Sequence, residues 1–330
     1  MKLIIQIPCY NEEATLPVTL ADLPRELPGI DRIEFLVIDD GSRDRTVEVA
    51  RGLGVHHIVR FTQHRGLAQG FAAGLDAAVQ AGADIIVNTD ADNQYCGADV
   101  AKLVEPILRG EADMVIGDRQ TDSIPHFSWT KKRLQKLGSW VVRKISGTDV
   151  PDAPSGFRAY SREAALRLNV VSDFSYVLET IIQAAQKDLK IASVPVRTNP
   201  ALRESRLVRS LPNYLRRQLE TILRIYAMYE PLRIFSLVGG IAIVAGLALG
   251  IRFLYLFFAG NGGGHVQSVV AAGVLVILGF LVLLGGLGAD LIAANRKLLE
   301  DMLYRVRRME AGEGELSRKE GGTGRSGTEK

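Results

Sequence analysis

Two acidic residues two positions apart, Asp90 and Asp92 in Thr89-Asp90-Ala91-Asp92, follow the apolar stretch Ile85-Ile86-Val87-Asn88. A carboxylate pair placed where a buried strand emerges into a loop can turn both side chains toward one point, and hard oxygen donors of this kind suit Mg²⁺ or Mn²⁺. A D-x-D by itself also serves as a turn or helix cap, so its companions decide. Two more polar clusters follow apolar runs: Pro8-Cys9-Tyr10-Asn11-Glu12-Glu13 and Val37-Ile38-Asp39-Asp40-Gly41-Ser42. Open α/β sheets bind ligands at the carboxyl ends of their strands. There Asp39 and Asp40 could accept hydrogen bonds from a base or ribose. Taken alone, Asp40-Gly41 reads as a simple turn.

The elements that must carry these clusters alternate in type. Short β-branched runs at 2–8, 34–39, 56–61, 84–89 and 113–117 read as strands, and 12–24, 44–52, 66–81 and 98–109 read as helices. The order βαβαβαβαβ predicts a mostly parallel sheet covered by helices. Residues 118–152 are polar and basic, with a helix expected over 129–146, and read as a flap over the site.

Beyond about residue 230 the composition changes. Residues 234–258 are apolar apart from Arg252, and 266–289 form a second such stretch, joined by the Gly-rich 259–265. Twenty-five helical residues reach about 37 Å, enough for the roughly 30 Å hydrocarbon core of a bilayer. The pair therefore reads as a transmembrane hairpin, with Arg252 close enough to one end to snorkel. Arg216, Arg217, Arg224 and Arg233 precede it, Arg296, Lys297, Arg305, Arg307 and Arg308 follow it, and the connecting loop holds no Lys or Arg. That bias places the soluble part and both termini on the cytoplasmic side. Leu211, Leu215, Leu219, Ile222, Leu223 and Tyr226 recur at helical spacing, as in a helix lying in the interface over 209–232 or packed on the globular part. Glycines at 239, 240, 246, 250, 285 and 286 allow close helix packing within the hairpin or between chains. The expected divisions are 1–208 soluble, 209–232 juxtamembrane, 233–294 membrane and 295–330 a basic helix with a disordered tail from Ala311.

The remaining composition narrows the class. The N-terminus shows no secretory signal. Cys9 and Cys96 lack metal-site spacing and read as free thiols of a reducing compartment. A net charge of +3, with the basic residues gathered near the apolar region, suits an anionic membrane surface rather than nucleic acid.

Together the motifs resemble family 2 glycosyltransferases of the GT-A fold, and with the hairpin the polyprenyl-phosphate glycosyltransferases. The resemblance rests on Ile7-Pro8-x-Tyr10-Asn11-Glu12, Ile38-Asp39-Asp40-Gly41-Ser42-x-Asp44-x-Thr46, Gly66-Leu67-Ala68 with Gly74-Leu75, Asp90-Ala91-Asp92-x-Gln94, Gly117-x-Arg119, Asp152-x-x-Ser155-Gly156-Phe157-Arg158, Val194-Pro195-Val196 and Arg203-x-Ser205-Arg206. It implies a GT-A nucleotide-sugar domain in which Pro8, Tyr10, Glu12 and Asp39 or Asp40 meet the nucleoside. Asp90, Ala91, Asp92 and Gln94 would meet the diphosphate, with Mg²⁺ or Mn²⁺ on Asp90 and Asp92. Arg119, Arg158, Arg203 and Arg206 would surround donor or acceptor phosphates, the last three facing the lipid phosphate, and Asp92, Asp152 and Arg158 would be catalytic. The implied reaction moves a hexose from a nucleotide diphosphate sugar to undecaprenyl or dolichyl phosphate with inversion. A lipid hydroxyl acceptor would instead need a base, for which Asp152 is the available carboxylate. A non-catalytic membrane scaffold is the remaining alternative, since fold alone proves no activity. The Q-x-x-R-W element of processive polysaccharide synthases is absent.

Overall fold

A computed structural model describes residues 1–120, 143, 147–171, 176–200, 202, 231–260 and 266–323, with side chains as far as 312. The expected helix over 129–146 is undescribed apart from residue 143. The segment 209–230, most of the hairpin loop, Arg203 and Arg206 also lie outside the described residues. The chain divides into two units, Met1–Ile222 with Met302–Lys330, and Leu223–Asp301.

The first unit is built on a seven-stranded sheet. In chain order its elements are β1 (Lys2–Cys9), α1 (Leu16–Asp22), β2 (Arg32–Asp39), α2 (Thr46–Gly52), β3 (His57–Arg60), α3 (Leu67–Gln80), β4 (Ile85–Asn88), α4 (Val100–Leu108) and β5 (Met114–Asp118). After β5 come β6 (Arg158–Ser161), α5 (Arg162–Arg167), α6 (Tyr176–Gln186) and β7 (Ile191–Pro195). The strand order is β3-β2-β1-β4-β6-β5-β7. Every pairing is parallel except those of β6, which runs antiparallel between β4 and β5 with Asn88 opposite Arg158 and Ile116 opposite Arg158. This α/β sheet agrees with the sequence-based expectation, but β6 was not anticipated. Its four residues, Arg-Ala-Tyr-Ser, carry no apolar run, and their place is set by neighbours some seventy and forty residues away.

Period-two alternation in β1 explains the two cores. Leu3, Ile5 and Ile7 pack with Leu16 and Leu20 of α1 and Val100, Leu103, Val104 and Ile107 of α4. Ile4 faces the other way, toward Phe71, Leu75 and Ala78 of α3 and Tyr176 and Ile181 of α6. Phe71 and Tyr176 stack there with ring centroids 3.8 Å apart. Because the parallel strands all end on one edge, the loops after β1, β2, β3, β4, β5 and β7, and the segment entering β6, share that edge.

The second unit holds α7 (Pro231–Phe258) and the first part of α8 (Val266–Thr323). Both are long and apolar enough to cross a membrane, and their side chains are largely unburied; Phe258 is 82% exposed. They approach closely at small residues. A Cβ on Gly239 would lie 2.8 Å from the Gly279 carbonyl oxygen, and one on Gly279 would lie 2.7 Å from that of Gly239. Gly240 meets nothing within 4 Å, so the expected close packing uses only part of the glycine set.

The sequence pointed to a disordered tail from Ala311, yet α8 continues to Thr323. Within the first unit, the Tyr304 hydroxyl donates to Glu163 at 2.9 Å, Arg307 donates to the Leu168 carbonyl at 3.0 Å, and Ala311 is buried in the core. One helical face, at 304, 307 and 311, thus has partners in the first unit, and buried contact there supports the helix as far as Ala311.

Candidate active site

The loops after β1 and β2 are tied to each other. Asn11 takes a left-handed φ of 54°, its amide donates to Ser42 Oγ at 2.9 Å, and its side-chain oxygen accepts from the Arg43 amide at 2.8 Å. The Glu12 amide donates to Thr46 Oγ1, and the Glu13 amide to Asp44. Glu12 is itself buried, its carboxylate accepting from Thr15 Oγ1, so it braces the start of α1. Gly41 has φ of +70°, and a Cβ there would sit 2.8 Å from the backbone of Gln63 and of His64. Only glycine lets the loops after β2 and β3 come so close.

Between the loops lies a cavity of about 760 Å³, lined by Tyr10, Gly41, Ser42, Arg43, Arg60 and the run 61–64. The Tyr10 and His64 rings meet at 4.2 Å on its wall. The structure separates the two aspartates that the motif left equivalent. Asp40 is committed to the next loop, accepting from the Arg65 and Gly66 amides at 2.6 and 2.9 Å, with His64 Nδ1 2.8 Å away. Asp39 accepts from the Ser42 amide, while its Oδ2 is buried without a hydrogen-bond partner, 3.4 Å from Arg60 Nε. Arg60, which also lines the cavity, is the cation beside that oxygen.

The cavity lining does not include Asp90 or Asp92, which stand farther along the edge, after β4. Both are part-exposed, and Ala91 between them is buried. The Asp90 carboxylate lies against Gly156, where an added Cβ would meet its oxygens at 3.3 and 3.4 Å. Asp92 Oδ1 accepts from the Gln94 amide, turning the loop through Asn93 at φ 54°. Among the described residues no group of three His, Cys, Asp or Glu side chains could hold a metal. Two part-exposed carboxylates nonetheless fit Mg²⁺ or Mn²⁺, which take one or two protein carboxylates and complete their shell with substrate phosphates and water.

Beneath this loop a polar ladder crosses the sheet. Gln6 Nε2 donates to Asn88, and Asn88 Nδ2 donates to the Gly156 carbonyl and the Tyr176 hydroxyl. The Gly156 amide donates to the Tyr95 hydroxyl at 3.1 Å. Burial pushes the Tyr95 pKa up to about 12, with Asp90 and Asp152 adding to the rise against the pull of Arg119. Tyr95 therefore stays a neutral phenol at ordinary pH.

Arg119 and Asp152 form a buried, two-pronged pair. Nε and Nη2 of Arg119 donate to the two carboxylate oxygens at 2.7 and 2.9 Å, and the Arg119 amide adds a third bond. Burial alone would lower the Arg119 pKa; Tyr95, Asp152 and Asp90 outweigh it and raise it. Arg158 corrects a sequence-based expectation. It is fully buried, and its guanidinium donates to the carbonyls of Ala153, Ser155 and Val177 and to Thr180 Oγ1. It is a strut for the 152–157 segment rather than a cation facing a phosphate, because its donors are already taken inside the fold. Ser161, which follows it on β6, caps α5 through the Ala164 amide, a role the motif did not signal.

The sheet order, with its acidic loops at the carboxyl edge, is that of a GT-A-like α/β fold. The chain belongs to glycosyl transferase family 2, whose model matches residues 4–168. It is 29% identical over 322 residues to glycosyltransferase AglJ of Haloferax volcanii, covering 93% of this chain and 97% of that one. It is 30% identical over 268 residues to dolichol-phosphate mannosyltransferase of Pyrococcus furiosus, covering 78% and 72%. Among solved structures, glucosyl-3-phosphoglycerate synthase of Mycobacterium tuberculosis with Mn²⁺, UDP and phosphoglyceric acid aligns with a TM-score of 0.53 at 21% identity, over 68% of this chain and 78% of that one. That likeness bears on the fold.

Proposed function

We propose that this protein transfers a hexose from a nucleoside diphosphate sugar to a polyprenyl phosphate, with inversion, at the cytoplasmic face of a membrane. The observation that carries the choice of acceptor is the Arg119–Asp152 pair. A hydroxyl acceptor needs a base, and Asp152 would first have to leave a guanidinium that holds both its oxygens. A lipid monophosphate has its second pKa near about 6 and arrives already ionised. The names of relatives, among them the dolichol-phosphate mannosyltransferase and an undecaprenyl-phosphate mannosyltransferase of Micrococcus luteus, support the same reading.

In this reading Asp39 accepts from the nucleoside, Pro8 and Tyr10 line its path, and Asp40 keeps the 64–66 loop in place. Asp90 and Asp92 would hold Mg²⁺ or Mn²⁺, with Gln94 beside them. When bound there, the cation supplies positive charge against the departing diphosphate. Arg203 and Arg206 receive the lipid phosphate. Two unit anions 4 Å apart repel by about 4 kcal/mol at an effective dielectric of about 20, so cations on the acceptor's path are required. The hairpin crosses the membrane with both termini cytoplasmic and the 259–265 loop outside.

The test is incubation of the purified full chain in detergent with UDP-glucose, UDP-N-acetylglucosamine or GDP-mannose, and undecaprenyl phosphate, dolichyl phosphate or diacylglycerol. Products are identified by mass. A glycosylated polyprenyl phosphate, abolished by a chelator, is expected; a product on diacylglycerol alone would overturn the acceptor, and full activity in excess chelator the metal.

A further inference from the structure

The loop that carries Asp90 and Asp92 is held on two sides. On one side α1 grips it: Thr19 Oγ1 donates to the Ala91 carbonyl at 2.9 Å, and Asp22 accepts from the Gly97 amide at 2.6 Å. On the other side the chain leaving β7 runs against it. The Asn199 amide donates to the Gln94 carbonyl at 2.9 Å, Thr198 bridges Tyr95, and the Cys96 amide donates to the Arg197 carbonyl at 3.2 Å. The Asn199 side chain adds bonds to the Tyr95 carbonyl at 3.3 Å and to Asp22 at 3.4 Å.

This second strap is anchored by charge. Arg197 donates from its amide to Asp99 Oδ2 at 2.7 Å and from Nη2 to Asp99 Oδ1 at 2.8 Å. Asp99 is 1% exposed and opens the turn into α4, and Lys102 is its other cation, 3.0 Å away. The Arg197 side chain is itself 64% exposed, so the core does not hold it. Asp99 does.

We propose that Arg197 and Asn199 are positioning residues for the cation-binding loop, setting Asp92 and Gln94 through the strap formed by residues 197–199 and its anchor on Asp99. The inference rests on the reading of Asp90 and Asp92 as carboxylates that bind a divalent cation with the donor's diphosphate. Neither residue touches substrate. Truncating Arg197 removes the guanidinium's bonds to Asp99 and leaves the strap on its backbone bonds and those of the Asn199 side chain, while the sheet and both cores remain. Lysine restores only part of the effect, since one ammonium cannot occupy both carboxylate oxygens in the same fixed geometry.

The experiment measures Mn²⁺ binding to the full chain in detergent by the loss of the free Mn²⁺ paramagnetic resonance signal, with UDP or GDP present. Thermal midpoint and transfer from UDP-glucose or GDP-mannose to undecaprenyl phosphate are recorded in parallel. Arg197→Ala and Asn199→Ala are each expected to raise the Mn²⁺ midpoint by about tenfold, in the range seen for groups that orient metal ligands. They should lower kcat in proportion, leave the donor KM within about twofold and barely move the thermal midpoint. Arg109→Ala, which removes an equally exposed arginine paired on α4, should match the wild type. A wild-type Mn²⁺ midpoint in both Arg197→Ala and Asn199→Ala, whatever their thermal midpoints, overturns the inference while leaving the cation reading intact. Absence of Mn²⁺ binding by the wild type itself overturns both. If Arg197→Ala fails to fold, Asn199→Ala decides in its place.

Discussion

Around the cavity beside Tyr10 and Gly41 the loops are joined motif to motif, Asn11 with Ser42 and Arg43, Glu12 with Thr46, Glu13 with Asp44, largely by neutral donors and short polar side chains. Around Asp90 and Asp92 the joins are ion pairs on buried carboxylates, the buried Arg119 with Asp152 and the exposed Arg197 with Asp99, over a ladder of Gln6, Asn88 and Tyr176. The first arrangement makes a preformed shape in which each bond contributes about 1 kcal/mol. The second is less tolerant at Arg119–Asp152, because removing one partner there strands a charge in a low-dielectric setting, whereas Asp99 keeps Lys102. Damage on the cavity side should therefore appear as weakened donor binding, and damage on the carboxylate side as lost turnover or lost folding.

The sharpest break in that contrast is Arg119→Ala. It leaves Asp152 buried and unpaired and should destabilise the protein by about 4 kcal/mol, read as a fall in denaturant midpoint at unchanged slope. Asp152→Asn in the same background should recover part of the loss; if it worsens matters, the pair is not the cause.

Asp92→Asn follows. It removes a part-exposed loop carboxylate and no apolar contact, so kcat should fall about a hundredfold, equivalent to about 2.7 kcal/mol, with the thermal midpoint unchanged. Retained turnover would move the cation away from this loop.

Gly41→Ala probes the opposite side. Its positive φ and 2.8 Å approach to the 63–64 backbone predict a cost of about 2 kcal/mol. The donor KM should rise while kcat holds. A kcat loss with unchanged KM would erase the distinction between the two sides.

The smallest effect concerns acid. Burial alone would raise the Asp99 pKa, but hydrogen bonds from Arg197 and Lys102 override it and hold it below the ordinary carboxylate value. A carboxylate depressed on folding stabilises the protein above its unfolded pKa of about 4, and that stability fades as pH falls through the lower folded value. Arg197→Ala should therefore flatten the decline of the thermal midpoint below about pH 5. An identical decline in both proteins would show that Asp99 is not one of its sources.

The sequence pattern was sufficient for the first five strands, the helices between them and the two apolar stretches, because period-two and period-3.6 burial are written in neighbouring residues. It also located Asp39, Asp90 and Asp92, since polar clusters after apolar runs mark the carboxyl edge of a parallel sheet. What it could not decide was which of two equivalent residues the fold ties into the next loop. Asp39 and Asp40 differ only in what lies 20 to 26 residues away, and Arg158 looks like a phosphate contact until Ala153, Val177 and Thr180 are folded around it. Antiparallel β6, the Arg119–Asp152 pair, the 197–199 strap and the packing of α8 at Tyr304, Arg307 and Ala311 are likewise products of contacts between segments far apart in the chain. Local periodicity records which side of an element is buried, and only the assembled fold decides what it is buried against.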